Sequence, residues 1–253
     1  MTTKRVSLAS VLLTVLLAAT ALLRATAANA GPPGEWVTAR SAGPDTLAVQ
    51  VRVAGATAWM LVDTGATRSR IRADLAARLA LRPTARHALT GLDGSERAAL
   101  CHGPIAVEVG AQELVIDCLS WSAELPIPLR LDGVLGADAL LRADVLLDPS
   151  RGLLRIAPPG ALGPWTEGAR IPAHAIEGRP AIAVRWDDPQ AAVAADSRTV
   201  ERSGFLVLDS GTDATILFGD LARSLAQATT TRPIFVETAG GTLRASAARS
   251  VSL

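Results

Sequence analysis

A chain that repeats its own pattern at a fixed distance is constrained to fold as two similar units, and this one does so at an offset of 146 residues. Asp63-Thr64-Gly65 falls on Asp209-Ser210-Gly211, and without any gap Asp74 to Ala80 (DLAARLA) falls on Asp220 to Ala226 (DLARSLA), identical at five of seven positions. Gly94 falls on Gly240, and the apolar runs WMLV and FLVL lead into the two acids. A lone D-x-G triplet is common in loops, so the register of the whole segment carries the repeat. Between the copies, Ala157 to Gly168 (APPGALGPWTEG) reads as a Pro/Gly-rich linker. At 253 residues, 49% of them hydrophobic, the chain suffices for one large domain or for two small lobes that each bury a core. The expected organisation is a leader over 1–30, a first lobe over 31–156, a linker over 157–168 and a second, shortened lobe over 169–253.

Period and punctuation give each unit a mostly β reading. In the first copy, TLAVQVRV and TAWMLV are strands around a turn at Ala54 and Gly55, and the Asp-Thr-Gly turn follows. A short helix is expected from about Ala73 to Leu81, stopped by Pro83. A strand through Ala88 to Thr90, a tip at Gly91 to Ser95 and a strand returning to Cys101 come next. The second copy repeats this as AIAVRW, GFLVLDSG, a helix near Asp220 to Gln227, PIFVET, a tip at AGG and TLRASAARSV. Asp188 to Ser203 is polar and Ala-rich and reads as a long exposed loop.

The acid at the end of an apolar strand is the chemical anomaly. A buried lone carboxylate costs several kcal/mol or takes up a proton. Asp209 supplies the partner that Asp63 needs. Two carboxylates held together share one proton, which leaves one as a base able to activate water and the other as an acid able to protonate a carbonyl oxygen. That combination can hydrolyse an amide without a metal or a covalent intermediate. Gly65 and Gly211 permit tight turns, and Thr64 and Ser210 offer hydroxyls for bracing the two loops against each other.

Other features narrow the setting. Lys4 and Arg5, the apolar run Val6 to Leu23, and Ala28 and Ala30 in an A-x-A arrangement form a secretory signal cleaved after Ala30; an uncleaved anchor is the alternative. The chain is therefore expected to be secreted or periplasmic. The full sequence has 25 basic and 24 acidic residues, a formal charge of +1 with no basic cluster to follow a phosphate backbone, which argues against nucleic acid. Loss of Lys4, Arg5 and Arg24, with no acid beside them, leaves −2. Cys101 and Cys118 flank two alternating strands joined near Gly110 and Ala111, so a disulfide and two small buried hydrophobes are both open. His87, His102 and His174 lack ligand spacing, and no cofactor motif is present. Trp59 reads as lobe packing or a cleft wall; Arg68, Arg70 and Arg72 read as a solvated face or a preference for acidic substrates.

VDTGAT followed by a helix, a glycine-bearing hairpin tip and then DGVLGADAL (Asp132 to Leu140) resembles the retropepsin-like aspartic peptidases, and the doubled unit is similar to the two-lobed pepsin plan. The resemblance implies acid-protease-like closed-barrel lobes, two homologous copies with the second incomplete, and an endopeptidase that binds water between two aspartates. It implies catalytic Asp63 and Asp209; active-site loops with Thr64, Gly65 and Ala66 and with Ser210, Gly211 and Thr212; and flaps with Gly91, Leu92, Asp93 and Gly94 and with Gly240 and Gly241. It also implies that Val134-Leu135-Gly136 cross behind the catalytic loop. Two departures stand out. The chain has no tyrosine, so no flap tyrosine of the pepsin kind. At the repeat offset Leu253 corresponds to Val107, so the second copy lacks a counterpart of Glu108 to Ile156. The alternatives are thus a homodimer that pairs Asp63 from each chain, or a non-catalytic peptide-binding protein on the same fold.

Overall fold

The computed structural model describes residues 34–43, 45–91, 95–123, 127, 131–163, 168–188, 200–212, 215–216, 231–238 and 241–248. The leader over 1–30, the flap residues Leu92, Asp93, Gly94 and Gly240, and the helix expected near Asp220 to Gln227 lie outside these residues. Among the described residues no helix is long and apolar enough to cross a membrane.

Strands dominate. They are β1 (Trp36–Gly43), β2 (Thr46–Val53), β3 (Ala56–Val62), β4 (Arg70–Ile71), β5 (Ala85–Thr90), β6 (Glu96–His102), β7 (Ile105–Val109), β8 (Gln112–Ile116), β9 (Leu119–Trp121), β10 (Gly133–Leu135), β11 (Asp144–Asp148) and β12 (Leu153–Ala157). Then come β13 (Ala173–Ile176), β14 (Arg179–Asp188), β15 (Val200–Val207), β16 (Thr231–Thr238) and β17 (Gly241–Ala248). Among the described residues two short helices interrupt them, α1 (Ala73–Arg78) and α2 (Ala137–Leu140).

The first twelve strands form one sheet in the order β11-β12-β1-β2-β3-β10-β4-β9-β6-β5, with β7 on β2 and β8 on β7. This path has two free ends, so among the described residues the expected closed barrel is not formed. The later strands form a sheet β13-β14-β15 and a hairpin β16-β17.

Alternation explains the local structure. In β2, Val49, Val51 and Val53 are buried while Gln50 and Arg52 are exposed, the period of a strand with one face on a core. The β2–β3 turn falls at Ala54 and Gly55, with φ of 47° and 79°, the geometry that suits a two-residue hairpin. The helix α1 ends at Arg78, before Pro83 can act. Ala80 takes φ 52°, and the Leu81 N–H closes back on the Ala76 carbonyl at 3.0 Å, a left-handed stop built without glycine. Periodicity did not anticipate β1, β11 or β12. The loop expected over Asp188 to Ser203 ends earlier, because Val200–Val207 pairs with β14 along its length.

The sheet around β3 is apolar on both faces. One face carries the main core, including Val49, Met60, Val62, Ile71, Leu119, Leu135 and Leu140. The other carries a smaller cluster of Ala48, Leu61, Ile127, Leu131 and Val134, with Trp59 and Ala66 packed against it. Trp59 is half-buried on this second cluster and Arg40 lies 4.1 Å over its ring.

The element Val134-Leu135-Gly136 runs through the middle of this arrangement. β10 lies parallel to β3, pairing Val134 with Leu61 and Leu135 with Val62, and antiparallel to β4, pairing Val134 with Arg70. Beyond it a buried polar link ties the platform to the turn after Asp63. Ser69, fully buried, donates from its hydroxyl to Asp138 Oδ1 at 2.6 Å and receives the Gly136 N–H at 2.9 Å. The Ser69 N–H also reaches Asp138 Oδ1, at 2.8 Å. Burial pushes the Asp138 carboxyl above its ordinary value, and these donors from Ser69 pull it back.

Ser69→Ala strands the Gly136 N–H and removes one donor from a buried carboxylate. It is expected to lower the unfolding free energy by about 1–3 kcal/mol in urea titration, and an unchanged midpoint would show that the link is not structural.

Candidate active site

Two strands deliver the two acids. β3 runs its apolar residues to Val62 and ends on Asp63, whose N–H is held by the Leu135 carbonyl at 3.0 Å. β15 ends at Val207, and the Leu208 N–H is held by the Pro180 carbonyl at 2.8 Å, just before Asp209.

The turns that follow grip each other. Thr64 Oγ1 donates to the Leu208 carbonyl at 2.6 Å and accepts from the Ser210 N–H at 3.0 Å. Ser210 Oγ donates to the Val62 carbonyl at 2.8 Å and accepts from the Thr64 N–H at 3.1 Å. Each hydroxyl has one proton, and each spends it on the opposite loop's carbonyl. The 3.4 Å approach of the two hydroxyl oxygens is therefore a contact between acceptors already supplied. The four bonds map onto one another under the 146-residue offset, so the repeat read in the sequence is a local two-fold in space.

This grip brings the carboxyls together. A Cβ added at Gly65 would lie 2.6 Å from Asp209 Oδ1, and one added at Gly211 would lie 2.7 Å from Asp63 Oδ1; real Cβ atoms essentially never come within 3.0 Å of such a neighbour. The glycines are required here by close approach of the opposite acid rather than by a special φ. Each acid is also steadied within its own turn. The Ala66 N–H donates to Asp63 Oδ1 and the Gly211 N–H to Asp209 Oδ1, both at 2.8 Å.

Electrostatics follow from that proximity. The Asp63 carboxyl is raised from 3.8 to about 6, by burial first, then by the charge of Asp209, with a hydrogen bond between the two side chains adding to the rise. The Ala66 N–H and the charge of Arg70 oppose it. The pair thus retains a proton well above the usual carboxylate range.

The remaining expected residues fall as follows. Gly91 opens the flap tip, its N–H bonded to the Ser95 carbonyl at 2.8 Å, above the β5–β6 hairpin. Gly241 is the first residue of β17, opposite Thr238. Thr212 follows Gly211 directly. The Ala66 carbonyl receives the Ala137 N–H at 2.8 Å, and a Cβ at Gly136 would meet the Arg68 carbonyl carbon at 2.7 Å, so the Val134-Leu135-Gly136 element packs against the back of the Asp63 turn. Arg70 is half-buried rather than solvated, and Arg72 is exposed and paired with Asp74 at 2.8 Å. The Ser69–Asp138 link was not singled out from the sequence; a serine and an acid 69 positions apart leave no periodic signal.

Cys101 and Cys118 are joined by a disulfide that ties β6 to the segment before β9. His87 sits beside it, with Nδ1 3.6 Å from Cys118 Sγ and Nε2 3.1 Å from Ser120 Oγ. His87, Cys101 and Cys118 are the one group among the described residues whose donor atoms cluster tightly enough for a metal, within 4.8 Å, but both sulfurs are engaged with each other. His102 Nδ1 lies 2.7 Å from the Arg82 carbonyl, and His174 meets Phe205 edge-on at 5.3 Å.

Residues 49–139 match the aspartyl protease family. That span contains Asp63, its turn, the β5–β6 hairpin and the β10 platform, and ends before Asp209. No curated protein matches the chain. Among solved structures, a retropepsin-like aspartic protease from Rickettsia conorii is similar at 18% identity over 49% of this chain and 89% of that one, with a TM-score of 0.36.

The raised Asp63 carboxyl makes a prediction about stability. Its folded state holds the proton more tightly than the unfolded chain, so its contribution is most favourable below pH 3.8 and declines as pH rises to about 6. Asp63→Asn removes the titration and keeps an oxygen for the Ala66 N–H. Unfolding measured from pH 3.5 to 7 is expected to show the variant gaining on the wild type by on the order of 2 kcal/mol; a constant difference across that range would contradict the assignment.

Proposed function

We propose that the protein is an aspartic endopeptidase that hydrolyses peptide bonds with water activated between Asp63 and Asp209. The match of residues 49–139 to the aspartyl protease family supports peptidase chemistry. The observation that carries the finer reading is the reciprocal Thr64–Ser210 grip, which holds two carboxyls face to face within one chain.

The chemistry runs on one shared proton. With that proton on Asp63, the Asp209 carboxylate is the base and takes a proton from a water lying between the two acids. The water oxygen bonds to the carbonyl carbon of the substrate while Asp63 passes its proton to the carbonyl oxygen, giving a gem-diol. Asp209, now protonated, then supplies the amine nitrogen, and the C–N bond breaks as the diol returns a proton to Asp63. Both acids end as they began. The substrate lies extended beneath the hairpin tips at Gly91 and Gly241, held by strand-type hydrogen bonds.

On this reading the chain comprises two acid-protease-like lobes, over 31–156 and 169–253, with the cleft where their Asp turns meet. The turn of Asp209 fills the place that Asp63 of a second copy would need, since no atom larger than hydrogen fits between Gly65 and Asp209. That favours the intrachain pair over a homodimer built on two copies of Asp63. A secreted or periplasmic location follows from the leader read in the sequence.

Asp63→Asn and Asp209→Asn are each expected to lower kcat for a broad peptide mixture by about a thousandfold or more, as loss of a general acid or base does. Wild-type activity is expected to fall as pH rises through about 6, where Asp63 loses the proton. Equal rates for wild type and both variants would reject the enzyme reading.

A further inference from the structure

Arg70 stands out among the charges near the acid pair. β4 places Ile71 in the main core at 1% exposure, so Arg70, its neighbour in the strand, is directed to the opposite face. Register identifies that face. Arg70 pairs with Val134 across the antiparallel β4–β10 ladder, and Val134 pairs with Leu61 across the parallel β10–β3 ladder, so the three side chains share one side of the sheet. Asp63 lies two residues beyond Leu61 in the same strand direction, on that side too. The guanidinium is half-buried and, among the described residues, takes no hydrogen bond or ion pair; the carboxyl that acts on it is Asp63's. Burial works against its charge, and Asp63 supports it.

A half-buried cation without a hydrogen-bonded anion is costly unless something else completes it. Asp63 cannot do so fully, because it shares its proton with Asp209 and accepts the Ala66 N–H. The two-fold sharpens the point. At the repeat offset the counterpart of Arg70 is Ile216, half-buried as well, so the repeat carries a cation in one copy and an aliphatic side chain in the other.

We infer that Arg70 is a specificity-determining residue that pairs with a carboxylate side chain of the substrate, within about two residues of the scissile bond and on one side of it only. An extended peptide advances about 3.3 Å per residue, so a side chain that reaches a guanidinium beside Asp63 belongs to a residue close to the cleaved bond. The guanidinium fork matches a carboxylate with two parallel hydrogen bonds, which glutamine cannot reproduce. On the other side of the bond, at the Ile216 position, an apolar side chain is the fitting partner. This inference rests on the peptidase reading and assigns its substrate class: peptides with an acidic residue on one flank of the cleaved bond and an apolar one on the other.

The test uses the full chain and hexapeptide mixtures with Glu, Gln or Lys fixed at each position in turn, together with the same mixtures carrying a non-cleavable reduced-amide bond. Wild type is expected to favour Glu over Gln by tenfold or more in kcat/KM at one position. Arg70→Gln should bring that ratio to within twofold, Arg70→Glu should turn the preference toward Lys, and Arg70→Lys should keep part of the preference for Glu. Ile216→Arg, which leaves Arg70 in place, should add a preference for Glu on the opposite side of the bond. A wild type with no preference for Glu, or a ratio unchanged in Arg70→Gln, would overturn the inference. If the wild type cleaves none of the mixtures, the peptidase reading fails, and equilibrium binding of the reduced-amide peptides decides for Arg70 by the same ratios.

Discussion

The candidate site depends on four hydrogen bonds between two turns. At about 1 kcal/mol each, neutral bonds of this kind are modest contributors to stability. Their importance is geometric. Each hydroxyl donates to a carbonyl of the opposite strand end and accepts an amide N–H from the opposite turn, so neither turn can shift without breaking bonds on both sides. Thr64 and Ser210 fix the separation of the acids; Gly65 and Gly211 are what that separation leaves room for.

The clasp needs a firm backing on the Asp63 side, and the main core provides it. β10 is bound to β3 on one edge and β4 on the other, its Leu135 carbonyl holding the Asp63 N–H. The buried Ser69–Asp138 link locks the far end of the turn to the same platform. The two turns are alike in their hydroxyl grip but not in charge, since the repeat offset sets Ile216 against Arg70. Symmetry places the two carboxyls, and the repeat is broken in charge beside them.

Much of this was legible in the sequence because the repeat carries register. The fixed offset paired Asp63 with Asp209 and Thr64 with Ser210, alternation located β2 and β3 within a residue or so of their observed ends, and the turn between β7 and β8 falls near Gly110 and Ala111 as expected. What escaped notice lacked a local signal. β1 and β12 owe their pairing to each other, far apart along the chain, with Trp36 opposite Arg155, and β11 joins the sheet only through its hairpin with β12. The early end of α1 arises from Ala80 in a left-handed conformation, where glycine or asparagine would have announced the stop. Arg68, Arg70 and Arg72 look alike in the sequence; only the β4–β10 register turns Arg70 toward the acids while Arg72 pairs with Asp74 outside.

The central claim is that one chain assembles one complete acid pair. Its most direct test is active-site titration with a tight-binding statine-type peptide inhibitor, combined with the native mass of the inhibited species. The account predicts one inhibitor bound per chain, in a species of single-chain mass. One inhibitor per two chains, in a species of twice that mass, would contradict it and place the reacting pair between two copies of Asp63.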